Sequence, residues 1–385
     1  MVEDVATWNP LRENSEDTFQ YIDLSAVDQD LKSIVCAREI ACHEAPSRAR
    51  QIVRSDDVLV STVRPNLNGV AKVPNELDSA TASTGFCVLR PKPSELCSNY
   101  LFHWVKSPQF VADMVSKATG ASYPAISDKI IWASPLPYVP LSEQRRIAAI
   151  LDQADALRAK RREALAQLDS LTQSIFIEMF GDPVTTTKDW PVVHLSDVTE
   201  MVTGYAFRSE EYVASSNDSI KLCRGANVMP GQLDWDDLAC WPVSKADGLS
   251  AFRLEEGDVV IAMDRPWISE GFKIAQVQQS DSPSLLVQRV ARIRGRQGIS
   301  NDYVYHLLNQ PAFTRHCRPT ETTVPHISPR DIRSFKFHLP PESLRQTFVE
   351  RVTVLRKQAS IQVESLAELD SLFASLQHRA FRGEL

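Results

Sequence analysis

The chain has 385 residues, 43% of them apolar and 24% charged, and its formal net charge at pH 7 is −7. This is an ordinary globular composition, long enough for two or three domains that bury cores of their own. No run of about 18 uncharged apolar residues occurs, so the sequence predicts no transmembrane helix. The acidic first residues predict no signal peptide.

The cysteine content indicates the cellular compartment of the protein, and the net charge bears on the kind of partner it binds. Seven cysteines are scattered along the chain without a Cys-x-x-Cys pair, which is typical of free thiols in the reducing cytoplasm. The negative net charge argues against a nucleic-acid partner. It does not exclude one, because screening over about 10 Å makes the local clustering of basic residues matter more than the total.

Residues 1–141 predict a first α/β module, mostly β with short helices. A buried strand is expected at 58–60 and a second apolar run at 86–89. From residue 100 to residue 115 the apolar spacing becomes that of a helix. A loop is expected at 119–124.

A long amphipathic helix is predicted at 142–181. Ser142 is a suitable cap, with Glu143 in the first turn, and Gly181 stops the helix. The apolar residues recur three and four apart, as in a coiled coil. The predicted seam consists of Ile147, Ile150, Ala154, Leu157, Arg161, Ala164, Leu168, Leu171 and Ile175. The basic residues Arg158, Lys160, Arg161 and Arg162 are expected to face solvent or a protein partner.

After a short polar linker at 182–189, residues 190–341 predict a second α/β module, and residues 342–385 predict a second long helix with a tail. The predicted elements of the module are a strand at 259–262, a short helix at 303–313 and a loop at 320–325. The predicted seam of the helix consists of Val352, Leu355, Ala359, Leu366, Leu369, Phe373, Leu376 and Ala380, and Phe381 is grouped with it.

The second half of the chain repeats the first at a constant distance of 201 residues. The matching pairs are 57–60 with 258–261, Arg64-Pro65 with Arg265-Pro266, 124–127 with 325–328, and 165–171 with 366–372. Such a repeat indicates two modules of one plan. Each helix of about 40 residues is about 55–60 Å long, and a two-fold relation between the repeats makes the helices antiparallel, with the modules at opposite ends. The predicted fold class is therefore α+β: two similar α/β modules separated by a pair of long antiparallel coiled-coil helices.

Three segments carry a resemblance to a known family. Pro-Leu-Pro at 135–137 leads into Leu-Ser-Glu-Gln-Arg-Arg-Ile-Ala-Ala-Ile-Leu-Asp at 141–152, and the first helix ends with Ser-Ile-Phe-Ile-Glu-Met-Phe-Gly at 174–181. The third segment is Leu-Gln-His-Arg-Ala-Phe-Arg-Gly-Glu-Leu at 376–385. In this order, and with the duplication, the chain resembles the specificity subunit of type I restriction–modification enzymes over nearly its whole length.

The resemblance implies a division of labour. The modules would be target-recognition domains, each reading one half of a split, asymmetric DNA sequence. The helices would be a spacer and a docking surface for two methyltransferase (modification) subunits, which use S-adenosylmethionine and methylate an adenine in each half-site. Separate motor-nuclease (restriction) subunits would use ATP and Mg²⁺. The specificity subunit itself binds no cofactor and catalyses nothing.

One feature departs from the family pattern. The second module opens with Trp-Pro-Val-Val-His-Leu-Ser-Asp-Val at 190–198, and nothing equivalent precedes Trp8 in the first. We expect either residues upstream of Met1 or the C-terminal tail to complete the edge of the first module.

The candidate DNA-binding residues are basic, amide, hydroxyl or aromatic side chains, several at matching places in both modules. Arginine suits phosphates and guanine edges, and hydroxyls suit phosphate or groove contacts. The alternatives are a solvated charged face, an arginine that only fixes a turn, and loops that cap the helices after Ser127 and Ser328. The candidates are Arg64, Asn66, Thr119, Ser122, Tyr123, Tyr205, Arg224, Asn227, Arg265, Arg292, Arg294, Thr322, Thr323 and His326. The residues expected at the spacer and partner surface are Ile147, Ile150, Leu157, Leu168, Leu171, Leu355, Leu366, Leu369, Leu376 and Phe381.

Sequence signs of catalysis are missing. The chain has neither a Gly-x-x-x-x-Gly-Lys-Ser/Thr phosphate loop nor an Asn/Asp-Pro-Pro-aromatic methyltransferase motif, and Cys36, Cys42 and His43 lack further obvious metal ligands. We therefore expect a non-catalytic DNA-specificity subunit. The alternatives are a coiled-coil scaffold protein without sequence-specific DNA binding and an enzyme fragment with nuclease activity of its own.

Overall fold

The computed structural model describes residues 1–12, 17–120, 122–296, 298–317 and 325–385. In it the chain divides into two units: unit 1 comprises residues 1–163 and 363–385, and unit 2 comprises residues 164–362. Each unit therefore contains one repeat of the sequence together with a part of each long helix.

Unit 1 is built on β-sheets and short helices. Its strands are β1 (Val2–Glu3), β2 (Thr18–Ile22), β3 (Val27–Asp28), β4 (Ser33–Ile34), β5 (Arg38–Ala41), β6 (Ala49–Ile52), β7 (Val58–Ser61), β8 (Val70–Lys72), β9 (Thr81–Ser83) and β10 (Phe86–Pro91). Strands β1, β10, β7 and β8 form, in this order, an antiparallel sheet. Strands β5, β2, β9 and β6 form another, in which β2 and β9 run parallel. Strands β3 and β4 form an antiparallel pair.

The helices of unit 1 pack on the first of these sheets. They are α1 (Ser98–Val105), α2 (Pro108–Lys117) and α3 (Asp128–Trp132), followed by the long helix α4 (Leu141–Phe180). Helix α2 starts where it does because the Ser107 hydroxyl accepts a hydrogen bond from the Phe110 amide and Pro108 fits the first helical position. Val58 and Val60 of β7 are buried in the same core as α1 and α2.

Unit 2 contains the second repeat. Its strands are β11 (Val192–His194), β12 (Thr199–Thr203), β13 (Ser219–Cys223), β14 (Cys240–Pro242), β15 (Arg253–Leu254), β16 (Val259–Ala262), β17 (Trp267–Ile268), β18 (Gly271–Phe272), β19 (Ile274–Gln276), β20 (Ser284–Leu286), β21 (Val290–Gly295) and β22 (Lys336–His338). Its helices are α5 (Leu195–Val198), α6 (Asn301–Leu308), α7 (Pro311–His316) and α8 (Pro329–Arg333), followed by the long helix α9 (Glu342–Ala380).

The two units share one topology. Strands β12, β21, β16 and β19 form an antiparallel sheet in the same order as β1, β10, β7 and β8. Strands β14, β13, β20 and β15 reproduce the other sheet, including its one parallel pair, β13 with β20. Unit 2 adds the antiparallel pairs β11–β22 and β17–β18. The repeat in the sequence is therefore a repeat of the fold.

The long helices pair antiparallel within each unit. In unit 1, Arg146 near the start of α4 bonds to the carbonyl of Leu385, whereas Arg158, three turns later, contacts Asp370. In unit 2, Phe176 near the end of α4 packs its ring against Phe348 at the start of α9. The predicted α+β fold class with similar modules and long antiparallel helices is confirmed. The domain boundaries assigned from sequence, and completion of the first module by the tail, stay predictions.

The predicted seam of α4 is wrong at two positions. Leu157 and Leu171 are both 46% exposed, whereas Leu151 and Thr172 are buried. The inward positions of each heptad are 147 and 151, 154 and 158, 161 and 165, 168 and 172, so the second of each pair lies one residue later than predicted. At two of these positions the helix turns a polar residue inward, Arg158 and Thr172, where the prediction chose the preceding leucine.

Arg158 explains how a polar residue occupies an inward position. Its guanidinium lies 4.4 Å from the centre of the Phe373 ring, and it forms ion pairs with Asp155 and Asp370. Its aliphatic stem and planar head cover the ring while the charge is compensated by carboxylates. The expectation that Arg158 faces solvent or a partner is therefore wrong.

Candidate functional site

Arg64 occupies an unusual backbone conformation at the end of β7. Its φ is 51° and its ψ 61°, in the left-handed region, which costs a residue other than glycine about 1–2 kcal/mol. The turn is held from both sides: the Arg64 amide donates to the Pro124 carbonyl at 2.7 Å, and the Ile126 amide donates to Thr62 at 2.9 Å. Pro65, the next residue, is buried. Pro124 and Ile126 thus fix the arginine turn.

The Arg64 side chain lies on an exposed aromatic ring. Its guanidinium carbon is 4.8 Å from the centre of the Tyr123 ring, and Tyr123 is 69% exposed. No carboxylate of the described residues forms an ion pair with Arg64. The stack is worth about 0.5–1 kcal/mol at an exposed site and orients the guanidinium plane.

The other candidates of unit 1 surround this stack. Thr119 exchanges two backbone hydrogen bonds with Ala125, at 3.0 and 2.9 Å, which places the start of the loop beside the arginine turn. Ser122 is exposed next to Tyr123, and Asn66 is exposed in the turn that follows Arg64. The structure therefore brings all five candidates of unit 1 to one surface, which we call the unit 1 loop surface.

Unit 2 contains the same turn. Arg265 has φ 45°, its amide donates to the Pro325 carbonyl at 2.9 Å, and Asp264 pairs with His326 as Val63 pairs with Ala125. Arg265 and His326 are exposed, whereas Pro266 is buried. Two of the predicted residues of this module therefore meet at the equivalent place, which we call the unit 2 loop surface. Thr322 and Thr323 lie outside the described residues.

Other basic and amide candidates of unit 2 are engaged inside the protein. Arg292 is 3% exposed and bonds to the carbonyls of Ala251 and Arg253, both at 3.1 Å, and to Glu200 at 2.9 Å. Arg294 pairs with the buried carboxylate of Asp258. These internal bonds occupy the guanidinium N–H donors that a DNA phosphate would need. We therefore assign neither arginine to the loop surfaces.

Arg224 and Asn227 build a turn. The Asn227 side chain, 1% exposed, accepts from the Arg224 amide at 3.1 Å and donates to the carbonyls of Asp234 and Asp237. Arg224 also forms an ion pair with Asp237 at 3.0 Å. Tyr205 is 44% exposed, and its ring packs against the rings of Phe207 and Phe252.

Two lysines that were not predicted contact the arginine turns: Lys32 is half-buried and Lys273 is 7% exposed. Lys32 Nζ donates to the carbonyl of Asn68, at the end of the Arg64 turn, at 2.8 Å. In unit 2, Lys273 donates its amide to Pro266 and its Nζ to Gly225. Burial first, and Arg265 second, lowers the pKa of Lys273. No local pattern marks Lys32, because its contact lies 36 residues along the chain.

The spacer residues divide into inward and outward sets. Ile147 and Phe381 are buried in the unit 1 core, with Leu376 partly buried beside them. Leu168 and Leu355 line a cavity of about 240 Å³ in unit 2. Ile150, Leu366 and Leu369 are half-buried. The exposed side chains of Leu157 and Leu171 leave apolar area on α4 for a partner, a role that stays a prediction.

The described residues contain no cluster of His, Cys, Asp or Glu able to hold a metal ion. Among them, no helix combines the length and apolar character that crossing a membrane requires.

Comparisons with known proteins agree with this architecture. Residues 50–167 match the family model "Type I restriction modification DNA specificity domain". The type I restriction enzyme EcoAI specificity subunit of Escherichia coli is 30% identical over 45% of this chain and 29% of its own length. The MjaVIII specificity subunit of Methanocaldococcus jannaschii is 24% identical over 74% of this chain and 70% of its own length.

A solved structure shares the fold across the whole chain. A protein from a study of complex assembly and conformational transition of the type I R-M system is 26% identical, with a TM-score of 0.55, over 100% of this chain and 96% of that one. The duplicated sheet-and-helix unit with paired long helices is thus a fold that this chain shares with a protein of a type I R-M system. The family model, the curated relatives and the solved structure all support a specificity subunit of a type I restriction–modification enzyme.

Proposed function

We propose that this chain binds a split, asymmetric DNA target, with one half-site at the unit 1 loop surface and the other at the unit 2 loop surface. As a specificity subunit it selects the DNA sequence and is not itself the catalyst. The observation that carries the proposal is the arginine turn: the same exposed, left-handed arginine stands at the same place in both repeats.

The chemistry around the two turns supports an asymmetric target. Val63 and Ala125 flank Arg64, whereas Asp264 and His326 flank Arg265. Asn66 is replaced by Trp267 at the equivalent position in the repeat. Surfaces that differ in charge, hydrogen bonding and shape read different bases, because specificity comes from contacts to base edges.

Local charge outweighs the net charge of −7 at these surfaces. Arg64 and Arg265 are exposed at the two turns, and Lys32 Nζ lies at the end of the Arg64 turn, bonded to Asn68. Lys273 lies beside Arg265 but is 7% exposed. Cationic side chains of this kind attract phosphates and release counterions on binding. Binding should therefore weaken as salt concentration rises.

The chain works with the other components of its system, which include DNA and methyltransferase and restriction subunits. We propose two methyltransferase subunits per chain, docked on the long helices, and separate motor-nuclease subunits. Exposed Leu157 and Leu171 on α4 support a docking role for this helix. S-adenosylmethionine, ATP and Mg²⁺ belong to those partners, and methylation of an adenine in each half-site requires that the base leaves the stack. A cytoplasmic location is part of the same proposal.

A module exchange tests the proposal. Residues 190–341 are replaced by the corresponding module of a divergent specificity subunit, and the methylated sequence is read by methylome sequencing of the host. One half of the target should change and the other should stay. A change in both halves would contradict independent reading by the two units.

The scaffold alternative makes a different prediction. The purified chain with its methyltransferase partners is mixed with pooled random duplexes, and bound DNA is sequenced after gel shift. The proposal expects enrichment of a two-part sequence, whereas a scaffold without sequence-specific binding gives none. The comparisons name specificity subunits and do not favour the scaffold.

A further inference from the structure

We infer that Arg64 reads a guanine in the half-site bound by unit 1, through a bidentate contact to its O6 and N7 atoms, with Tyr123 as the positioning residue. The inference rests on the proposed function and deepens it, because it assigns base readout rather than phosphate binding to a particular side chain.

The backbone supplies the first argument. Glycine adopts the left-handed backbone conformation at the lowest cost, and asparagine also adopts it. Asn68, four residues after Arg64, is an example, with φ 46°. Arginine occupies the strained position in both repeats, at Arg64 and Arg265. A residue that only fixed the turn would not need a long cationic side chain. Strain that is retained at a loop indicates that the side chain is required there.

The charge environment supplies the second argument. Arg90, Arg292 and Arg294 are each paired with a carboxylate, on Asp57, Glu200 and Asp258 respectively. Arg64 is exposed and no carboxylate of the described residues pairs with it. Its five N–H donors therefore remain available for an acceptor outside the protein.

The stack on Tyr123 supplies the third argument. An aromatic ring 4.8 Å from the guanidinium carbon covers one face of the plane and leaves the N–H edge open. Two parallel N–H groups on an oriented edge match the two acceptors of guanine in the major groove. A phosphate contact needs no such orientation and is served as well by a flexible lysine.

The turn is also fixed relative to the body of unit 1. The Arg64 amide is bonded to Pro124, Tyr123 precedes that proline, and Pro65 is buried. Gly120, with φ 102°, allows the loop to close, since a Cβ there would lie 2.9 Å from the carbonyl oxygen of Tyr123. Arginine and tyrosine are therefore presented together by one connected backbone.

The test measures sequence preference base by base. The full chain with its methyltransferase partners selects from pooled random duplexes, and bound DNA is sequenced for the wild type and for Arg64→Gly, Arg64→Lys and Tyr123→Leu. Glycine is chosen because it accepts the left-handed backbone, so the fold should survive, which a thermal melt checks. Arg265→Gly is the matched control in unit 2.

The expected result is a local change. Arg64→Gly should lose preference for guanine at one position of one half-site by about 5- to 150-fold, with the other positions retained. Arg64→Lys should keep the salt dependence but lose most of the preference, since lysine lacks the bidentate edge. Tyr123→Leu should weaken the preference at the same position only. Arg265→Gly should leave this half-site unchanged.

Three results would overturn the inference. In the first, Arg64→Gly weakens binding to all sequences equally and lowers the salt slope by about one, which is the signature of a phosphate contact. In the second, selectivity is unchanged. In the third, the wild-type half-site of unit 1 contains no required G·C pair. A wild type that enriches no sequence at all would instead remove the proposed function, and the inference with it.

Discussion

The ion pair at the start of strand β7 offers the sharpest test of what holds unit 1 together. Asp57 is 1% exposed, accepts the Arg54 amide at 2.8 Å, and binds the Arg90 guanidinium through both oxygens at 2.9 and 2.7 Å. Asp57→Ala leaves the buried Arg90 without a counter-charge. Removal of one partner of such a pair costs about 3–5 kcal/mol, more than the pair itself contributes.

The second repeat provides a matched control. Asp258 accepts the Glu255 amide at 2.7 Å and pairs with Arg294, but the Arg294 side chain is 25% exposed and lies 3.2 Å from the Glu255 carboxylate. Asp258→Ala therefore leaves a partly hydrated guanidinium with a second partner. We expect a smaller loss, about 1–3 kcal/mol.

Hydrogen exchange on the full chain separates the two effects. Peptides that span β7 and β16 report the opening free energy of each unit, and each substitution should lower protection in its own unit. A double variant, Asp57→Leu with Arg90→Met, should recover most of the loss, because an apolar pair needs no counter-charge. Equal losses in the two units, or a loss below about 1 kcal/mol for Asp57→Ala, would refute the reasoning.

Three further predictions test the fold. Leu151→Ala should destabilise the chain by about 2–5 kcal/mol and Leu157→Ala by less than about 0.5 kcal/mol, since only Leu151 is buried. Chemical denaturation measures both, and similar midpoints for the two variants would contradict the corrected seam. Gly204→Ala should unfold part of unit 2, because a Cβ there meets the Val287 carbonyl oxygen at 2.1 Å, while Gly225→Ala, with open space, should express and melt as wild type. Burial lowers the pKa of His306 to about 4, so the neutral ring stabilises unit 2 fully above pH 6.5, and about 2 kcal/mol should be lost by pH 5. His306→Gln should flatten that pH dependence, and a persistent slope would assign it to another group.

Much of the architecture follows from sequence patterns. The spacing of 201 residues predicted one plan used twice, and both repeats have the same strand order. The predicted helix 142–181 is α4 at Leu141–Phe180, because a cap, an amphipathic stripe and a terminal glycine are local signals. The sequence showed that Arg64-Pro65 and the segment at 124–127 both recur, but only the structure shows that they pair.

The candidate site was predictable only in part. The recurring Arg-Pro turns pointed to Arg64 and Arg265, which are exposed in the structure. Arg292 and Arg294 alternate on a strand as a DNA-binding face would, yet one is buried and both are paired. Alternation gives the face of a strand, but not what covers that face.

The sequence by itself determined the duplication, the strands and the long helices of this protein, since each is encoded by residues near one another or by a constant offset. Only the tertiary structure decided which arginines are free. Arg90 finds its carboxylate 33 residues away, and Arg292 finds Glu200 at a distance of 92 residues. Arg64 instead meets the ring of Tyr123. Such pairings depend on which strands become neighbours. The sequence alone therefore does not distinguish the arginines that pair with carboxylates from those that do not.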